Sequence, residues 1–295
     1  MRTALLICLA VLANTALAEA APSVVDDAGR TVALPFAAQR IVSLAPHATE
    51  LLFAVGAGAQ IVGADEYSDY PAVAKSIPRI GRAGALDVER IIALKPDLIV
   101  AWGSGNTGGQ VAQLQRFKLK VFSSEPRTPA DVASSLRRLG VLSGHEAVAE
   151  KIATDFEAGL AALQQKFSSR SKVTVFYQIW HEPLQTINRE HNIAAVIRLC
   201  GGQNVFDALP TLAPTLAREA VLRADPHVIL GSGSDGQRPQ WLDDWRRWPQ
   251  LKAVKNNALY DVPPDLMQRP TPRLLDGAQR VCAALDEVRS RQAGK

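Results

Sequence analysis

The side chains able to do chemistry in this 295-residue chain are few and scattered. Its five histidines (His47, His145, His181, His191 and His227) form no HExxH pair, and its cysteines form no CxxC pair. Neither a zinc-protease helix nor a thiolate metal site is therefore written in the spacing. No GxSxG elbow occurs, and no nucleophile, base and orienting group stand out together. The glycine-rich GSGNTGG at 103–109 lacks the lysine and spacing of a phosphate loop, and reads as a turn beside a ligand cleft. No catalytic residue and no metal ligand is assigned.

What remains suits holding a ligand rather than transforming it. Tyr67, Tyr70, Trp102 and Trp180 fall at strand ends or in loops, and Asp265 and Arg269 lie beside the last long helix. Aromatic faces cover apolar ligand surface, while a few polar groups orient it. An isolated tryptophan is most simply a core residue, but Trp102 and Trp180 each follow an expected strand, which argues for a cleft. Asp265 and Arg269, four apart, also fit a local helical ion pair. For His181 and His191, ordinary loop or capping roles are the simpler reading.

The N-terminal residues bear on compartment. Arg2, an apolar run over 4–14 and Ala16-Leu17-Ala18 have the order of a secretory signal peptide, and the run is too short for a membrane anchor. Cys8 is a poor lipidation site, because Ile7 is bulky and the apolar run continues past it. Cleavage after Ala18 leaves 277 of the 295 residues, with Cys200 and Cys282 as the remaining cysteines. In an exported protein an even pair reads as a disulfide. Two separately buried thiols are the alternative, and spacing does not decide between them. The formal charge of +4 is dispersed, and no basic tract is interleaved with aromatics, which argues against nucleic acid.

Short apolar runs at 40–44, 61–65, 98–102 and 120–124 alternate with helical segments at 47–56, from Asp87, and through 108–117. That pattern predicts a mostly parallel α/β sheet. A second series contains expected strands at 174–180 and 227–233, with helices through 193–202, 215–223 and 272–290. Between the two series, residues 145–167 lack proline and place Val148, Ile152, Phe156 and Leu160 at i+4 intervals. They predict a helix about 34 Å long. The expected organisation is a signal peptide over 1–18, an N-terminal α/β lobe with its lead-in over 19–125, a connecting region over 126–171, and a C-terminal α/β lobe over 172–295. An internal echo supports two lobes: LDVERIIALKPDLIV at 86–100 matches LAREAVLRADPHVIL at 216–230 at a constant offset of 130. It sets Glu89 against Glu219 and Pro96 against Pro226.

The opening DDAGRTVALPFAAQRIVSLAPHATELLFAVGAG at 26–58 resembles that of the substrate-binding proteins of metal-chelate ABC importers, and the resemblance spans essentially the whole mature chain. EYSDYP at 66–71, LDVERIIALKPDLIVAW at 86–102, FYQIWHEPL at 176–184, LCGGQNVF at 199–206 and DLMQRPTPR at 265–273 are similar to segments of the cobalamin-binding branch. The resemblance implies two Rossmann-like lobes bridged by a single long helix, the class III periplasmic binding architecture, and a monomer in the periplasm. It implies capture of cobalamin without covalent chemistry or a resident cofactor, and delivery to an inner-membrane permease dimer with a cytoplasmic ATPase. Tyr67 and Trp102 would contact the ligand from the first lobe, and Asp265 and Arg269 from the second, with Trp180 as a further wall. Glu89 and Glu219 would dock on permease arginines, and the family's disulfide would join Cys200 to Cys282. Ala83 and Ala213 stand where other cobalamin receptors carry tryptophan, which removes aromatic contact area that Trp180 would restore. Haem or ferric-siderophore capture is the alternative ligand class, and an exported corrinoid-modifying hydrolase is the alternative outside binding.

Overall fold

The computed structural model describes residues 21–233 and 238–293. The signal-peptide reading, with Cys8, lies outside the described residues. The first lobe opens with an antiparallel hairpin, β1 (Ser23–Val25) and β2 (Thr31–Ala33). It continues through β3 (Ile41–Ser43), α1 (Pro46–Ala54), β4 (Ile61–Ala64) and the small hairpin β5 (Gly81–Arg82) and β6 (Ala85–Leu86). It closes with α2 (Val88–Ala93), β7 (Leu98–Trp102), α3 (Gly108–Arg116) and β8 (Val121–Ser124). Two helices follow, α4 (Pro129–Ser143) and α5 (Glu146–Phe167). The second lobe runs β9 (Val173–Gln178), α6 (Asn192–Leu199), β10 (Gly202–Asn204), α7 (Arg218–Ala224) and β11 (Val228–Gly231). It ends with the short α8 (Gln240–Asp243) and α9 (Lys252–Lys255), β12 (Leu259–Asp261), α10 (Pro264–Met267) and the long α11 (Leu274–Ala293).

Each lobe is built on a four-stranded parallel sheet, ordered β4-β3-β7-β8 in the first and β10-β9-β11-β12 in the second. In both, the strand that comes second in the chain sits at one edge, beside the first, which in turn adjoins the third. The echoed segments are the helix and strand leading into each sheet's third position, α2 with β7 and α7 with β11. Their turns share an unusual backbone: Lys95 and Asp225 both take the left-handed conformation, at φ 47° and 42°, just before Pro96 and Pro226. Side chains other than glycine rarely adopt that conformation, so its recurrence makes the repeat more than a similarity of composition.

The bridge begins at the first lobe and ends at the second. At its start, the His145 ring lies against Gly56, just beyond α1, and at its far end the Phe167 carbonyl lies against Gly201 at the foot of α6. Along α5 the buried positions are Ala149, Ala153, Phe156, Leu160 and Phe167. Phe156 and Leu160 are buried where the spacing puts them and Ile152 packs half-buried on the core, but at the start of the helix Val148 is exposed and Ala149 is buried instead. The cause is α4: Gly140 faces Ala149 with no room for a further methyl group, and the small pair lets the two helices pack closely. One continuous apolar cluster takes in α1 (Leu51, Leu52), α4 (Leu136, Leu139), α5 (Phe156, Leu160), β9 (Val175), α6 (Ile197) and α11 (Val281, Leu285). A disulfide joins Cys200 to Cys282, closing a sequence separation of 82 residues between the end of α6 and the middle of α11.

Candidate functional site

The sheets' carboxyl ends, where open α/β folds bind ligands, face a cleft between the lobes with a volume of about 580 Å³. All five ligand-contact residues expected from the sequence line it: Tyr67 and Trp102 from the first lobe, and Trp180, Asp265 and Arg269 from the second. The three aromatics are 57%, 37% and 47% exposed, respectively, so their faces are open to the cleft rather than spent on the core.

Each aromatic is held from behind. Trp102 ends β7; its backbone N–H donates to Asn106 Oδ1 at 2.6 Å, and the Asn106 amide donates on to the Leu44 carbonyl. Gly105 lies so close to the indole that any side chain there would collide with the ring, which is the local reason for a glycine in this turn. Glu125 pins the same loop, accepting from the Ser104 N–H at 2.7 Å and its hydroxyl at 3.0 Å. The His47 ring meets the Trp102 ring edge-on at a centroid distance of 5.8 Å. Tyr67 is oriented by the buried Asp65, whose Oδ1 accepts its backbone N–H at 2.8 Å. On the second lobe, Trp180 donates from Nε1 to the Glu182 carbonyl at 2.8 Å.

The cleft's polar groups include several that the sequence did not single out as ligand contacts. His47 and His191 both line it. Burial holds each imidazole down at about 4, with the Arg269 charge adding to the effect at His47, so both are neutral near pH 7. His191 caps α6, its Nδ1 accepting from the Ile193 N–H at 3.2 Å, which leaves the proton on Nε2. Ser104, Glu125, Arg127, Glu190 and Gln268 complete much of the polar rim. Ser104 belongs to the glycine-rich turn read as bordering a cleft and Gln268 to the segment at 265–273, whereas Glu125 and Arg127, from the loop after β8, and Glu190, from the loop before α6, lie in no motif. Arg269 ion-pairs with Asp265 at 3.2 Å, so the helical-pair reading and the cleft reading describe the same side chains.

Other residues singled out by the sequence fall elsewhere. His181 stacks on Trp241 in a separate depression of the second lobe, and Tyr70 lies under the Arg273 guanidinium. Ala83, in the β5–β6 turn, and Ala213 are not among the residues lining the cleft. Glu89 and Glu219 are exposed in the first turns of α2 and α7, at equivalent places in the repeat. Among the described residues, no group of three or more His, Cys, Asp or Glu side chains is arranged to hold a metal ion.

Comparison with known proteins agrees with this geometry. A profile described as periplasmic binding protein matches residues 41–266. The vitamin B12-binding protein of Vibrio cholerae serotype O1 is 36% identical over 258 residues, which cover 86% of this chain and 91% of that protein. The crystal structure of the periplasmic vitamin B12 binding protein of Vibrio cholerae superposes with a TM-score of 0.79 at 36% identity, covering 86% of this chain and 99% of that one. A periplasmic heme-binding protein of Roseiflexus sp. RS-1 superposes with a TM-score of 0.74 at 23% identity, covering 85% and 99% of the two chains, a likeness of fold alone. The chain belongs to the periplasmic binding proteins, a family of binders rather than enzymes, and within them to the family of the vitamin B12-binding proteins.

Proposed function

We propose that this protein captures cobalamin in the periplasm and hands it to an ABC importer of the inner membrane. The observation that carries the reading is the cleft itself, where three exposed aromatic side chains from two facing lobes converge with an acid–arginine pair. The relatives named for vitamin B12 binding set the ligand class. In this reading Tyr67, Trp102 and Trp180 cover the apolar faces of the corrinoid. Asp265 and the cleft's neutral histidines meet its amide edge, where hydrogen-bonding groups rather than charges are wanted. The cobalt arrives with its own ligands, so the protein supplies none.

Glu89 and Glu219 are the proposed docking acids, one on each lobe, for arginines on the two halves of a permease dimer. Both are exposed at helix starts, and the repeat gives them equivalent placements. Transport energy would come from the importer's cytoplasmic ATPase. The protein acts as a monomer until it docks.

The test is isothermal titration of the purified mature protein with cyanocobalamin. One-to-one saturation is expected, and folded protein that releases no heat and leaves the ligand free would overturn the assignment. Haem or ferric-siderophore capture is the second reading, favoured by Tyr67, His47 and His191 lining one cleft. Haemin titration decides it: a Soret shift lost on changing Tyr67 or His191 would move haem ahead.

A further inference from the structure

Arg269 lines the cleft, yet its guanidinium is already engaged on several sides. Nη1 donates to Glu50 Oε1 at 2.8 Å and to Asp69 Oδ1 at 2.6 Å, and Nη2 pairs with Asp265 at 3.2 Å. Two of those three carboxylates belong to the opposite lobe. Glu50 is the unusual one. It sits on α1 of the first lobe, only 4% exposed. Its side-chain partners among the described residues all come from the second lobe: Arg269, Thr271 at 3.1 Å and Arg273 at 3.4 Å. Both carboxylate oxygens are used. Arg273 also lies over the Tyr70 ring at 3.9 Å, a further contact across the lobes.

A carboxylate out of water is tolerated when it is paired and hydrogen-bonded, and is strongly unfavourable when the partner leaves. Moving the lobes apart would strip Glu50 of these partners and leave it facing its own helix. The same contacts fix where Arg269 points, and Arg269 in turn holds Asp265 at the cleft wall.

We propose that Glu50 is the positioning residue of this binding site, a cross-lobe clasp on Arg269, Thr271 and Arg273 that sets the width of the cleft and presents the 264–270 wall to the ligand. Arg269 then acts on the ligand chiefly through Asp265 and cleft width. The affinity part of the test rests on the cobalamin reading, and the distance part does not.

The experiment places nitroxide labels at Gln115→Cys on α3 and Lys255→Cys on α9, both exposed and in different lobes, and measures their separation by pulsed dipolar spectroscopy without ligand. The parent should give one narrow distance distribution. Glu50→Gln and Arg269→Gln should each broaden or lengthen it, and Glu50→Gln should weaken cyanocobalamin binding at least tenfold by titration. A residue that only stabilised the fold would lower the melting temperature and leave the distance unmoved. Unchanged distances in both variants would overturn the proposal whatever the affinity did, as would a broad distribution in the parent. If Glu50→Gln does not fold, Arg269→Gln carries the test alone. A parent that fails to bind cyanocobalamin would sink the functional reading, while the distances would still decide the clasp.

Discussion

The two lobes share a frame and differ at its edge. Strand pairing equates them residue by residue: Ile41 and Val175 sit beside the echoed Leu98 and Val228, and Val121 and Leu259 beside Ile99 and Ile229. On that alignment the exit of the first strand carries Pro46 in one lobe and Trp180 in the other. The exit of the third strand carries Trp102 in one and Ser232 in the other, and all four residues line the cleft. The tryptophans therefore stand at non-equivalent corners. The reason lies one layer down. In the second lobe the first strand carries a fully buried Tyr177, whose hydroxyl meets Ser232 Oγ at 2.6 Å, while Ser232 also donates to the Val262 carbonyl. The first lobe has Ser43 at the position of Tyr177. Aromatic bulk that fills the interior of one lobe thus stands at the mouth of the other. At the fourth strands the exits carry Arg127 and Asp265, opposite charges on opposite walls. A near-symmetric frame thus presents an asymmetric cleft, because the strand exits and the interior position behind them, Ser43 against Tyr177, differ between the lobes.

The largest expected effect separates the lobes by stability. Replacing Cys200 and Cys282 with serine removes a covalent tie confined to the second lobe. It should lower unfolding free energy by about 2–5 kcal/mol, read by chemical denaturation. Loss of hydrogen-exchange protection should be greatest at α6 and α11. Equal loss across α2 and α3 would mean that the tie serves the whole molecule.

The next effect should appear in both lobes alike. His47 and His191 are each held near 4 by burial, below the ordinary histidine value of 6.5. The unfolded chain takes up these protons first, so the stability involved is fully present above about pH 6.5 and is lost as pH falls toward 4. Each histidine accounts for up to about 3 kcal/mol. Melting temperature should fall through that window, and His47→Gln and His191→Gln should each flatten the fall. A slope unchanged in either variant would show that its imidazole already titrates normally.

The smallest of these effects bears on the rim. Trp102→Ala and Trp180→Ala should each weaken cyanocobalamin binding by about 10–100-fold, the greater loss falling on Trp102, which is held by Asn106, Gly105 and His47. Titration of both variants checks the order, and a loss at one tryptophan alone would reduce the two-walled cleft to a single platform.

The frame was legible because it is local. Apolar runs marked the strands, and the echo at an offset of 130 joined segments that the fold uses identically. The tryptophans were legible because each follows a strand. The clasp was not: Glu50 meets residues more than 200 positions away, and nothing in HATELLFAVG marks one glutamate as buried. Val148 misled for a related reason, since the apolar spacing of α5 says nothing of the small Gly140–Ala149 contact that turns the helix toward α4. His191 was given a loop or capping role, and it caps α6; its place in the cleft needed the second lobe's fold.

The apolar cluster running without a break from Val32 to Val288 has a further consequence, for the order of biosynthesis. A lobe made alone would present its half of that cluster to water, so neither half is an autonomous folding unit in the sense that separable domains are. The last helix supplies Leu274, Val281, Leu285 and Val288 to the shared interior, and the core is incomplete until nearly the whole chain has been made. The smaller cluster of Val42, Leu44, Ile80, Ile91, Ile99 and Leu114 needs only the first lobe, so it is the shared interior alone that waits for the last helix.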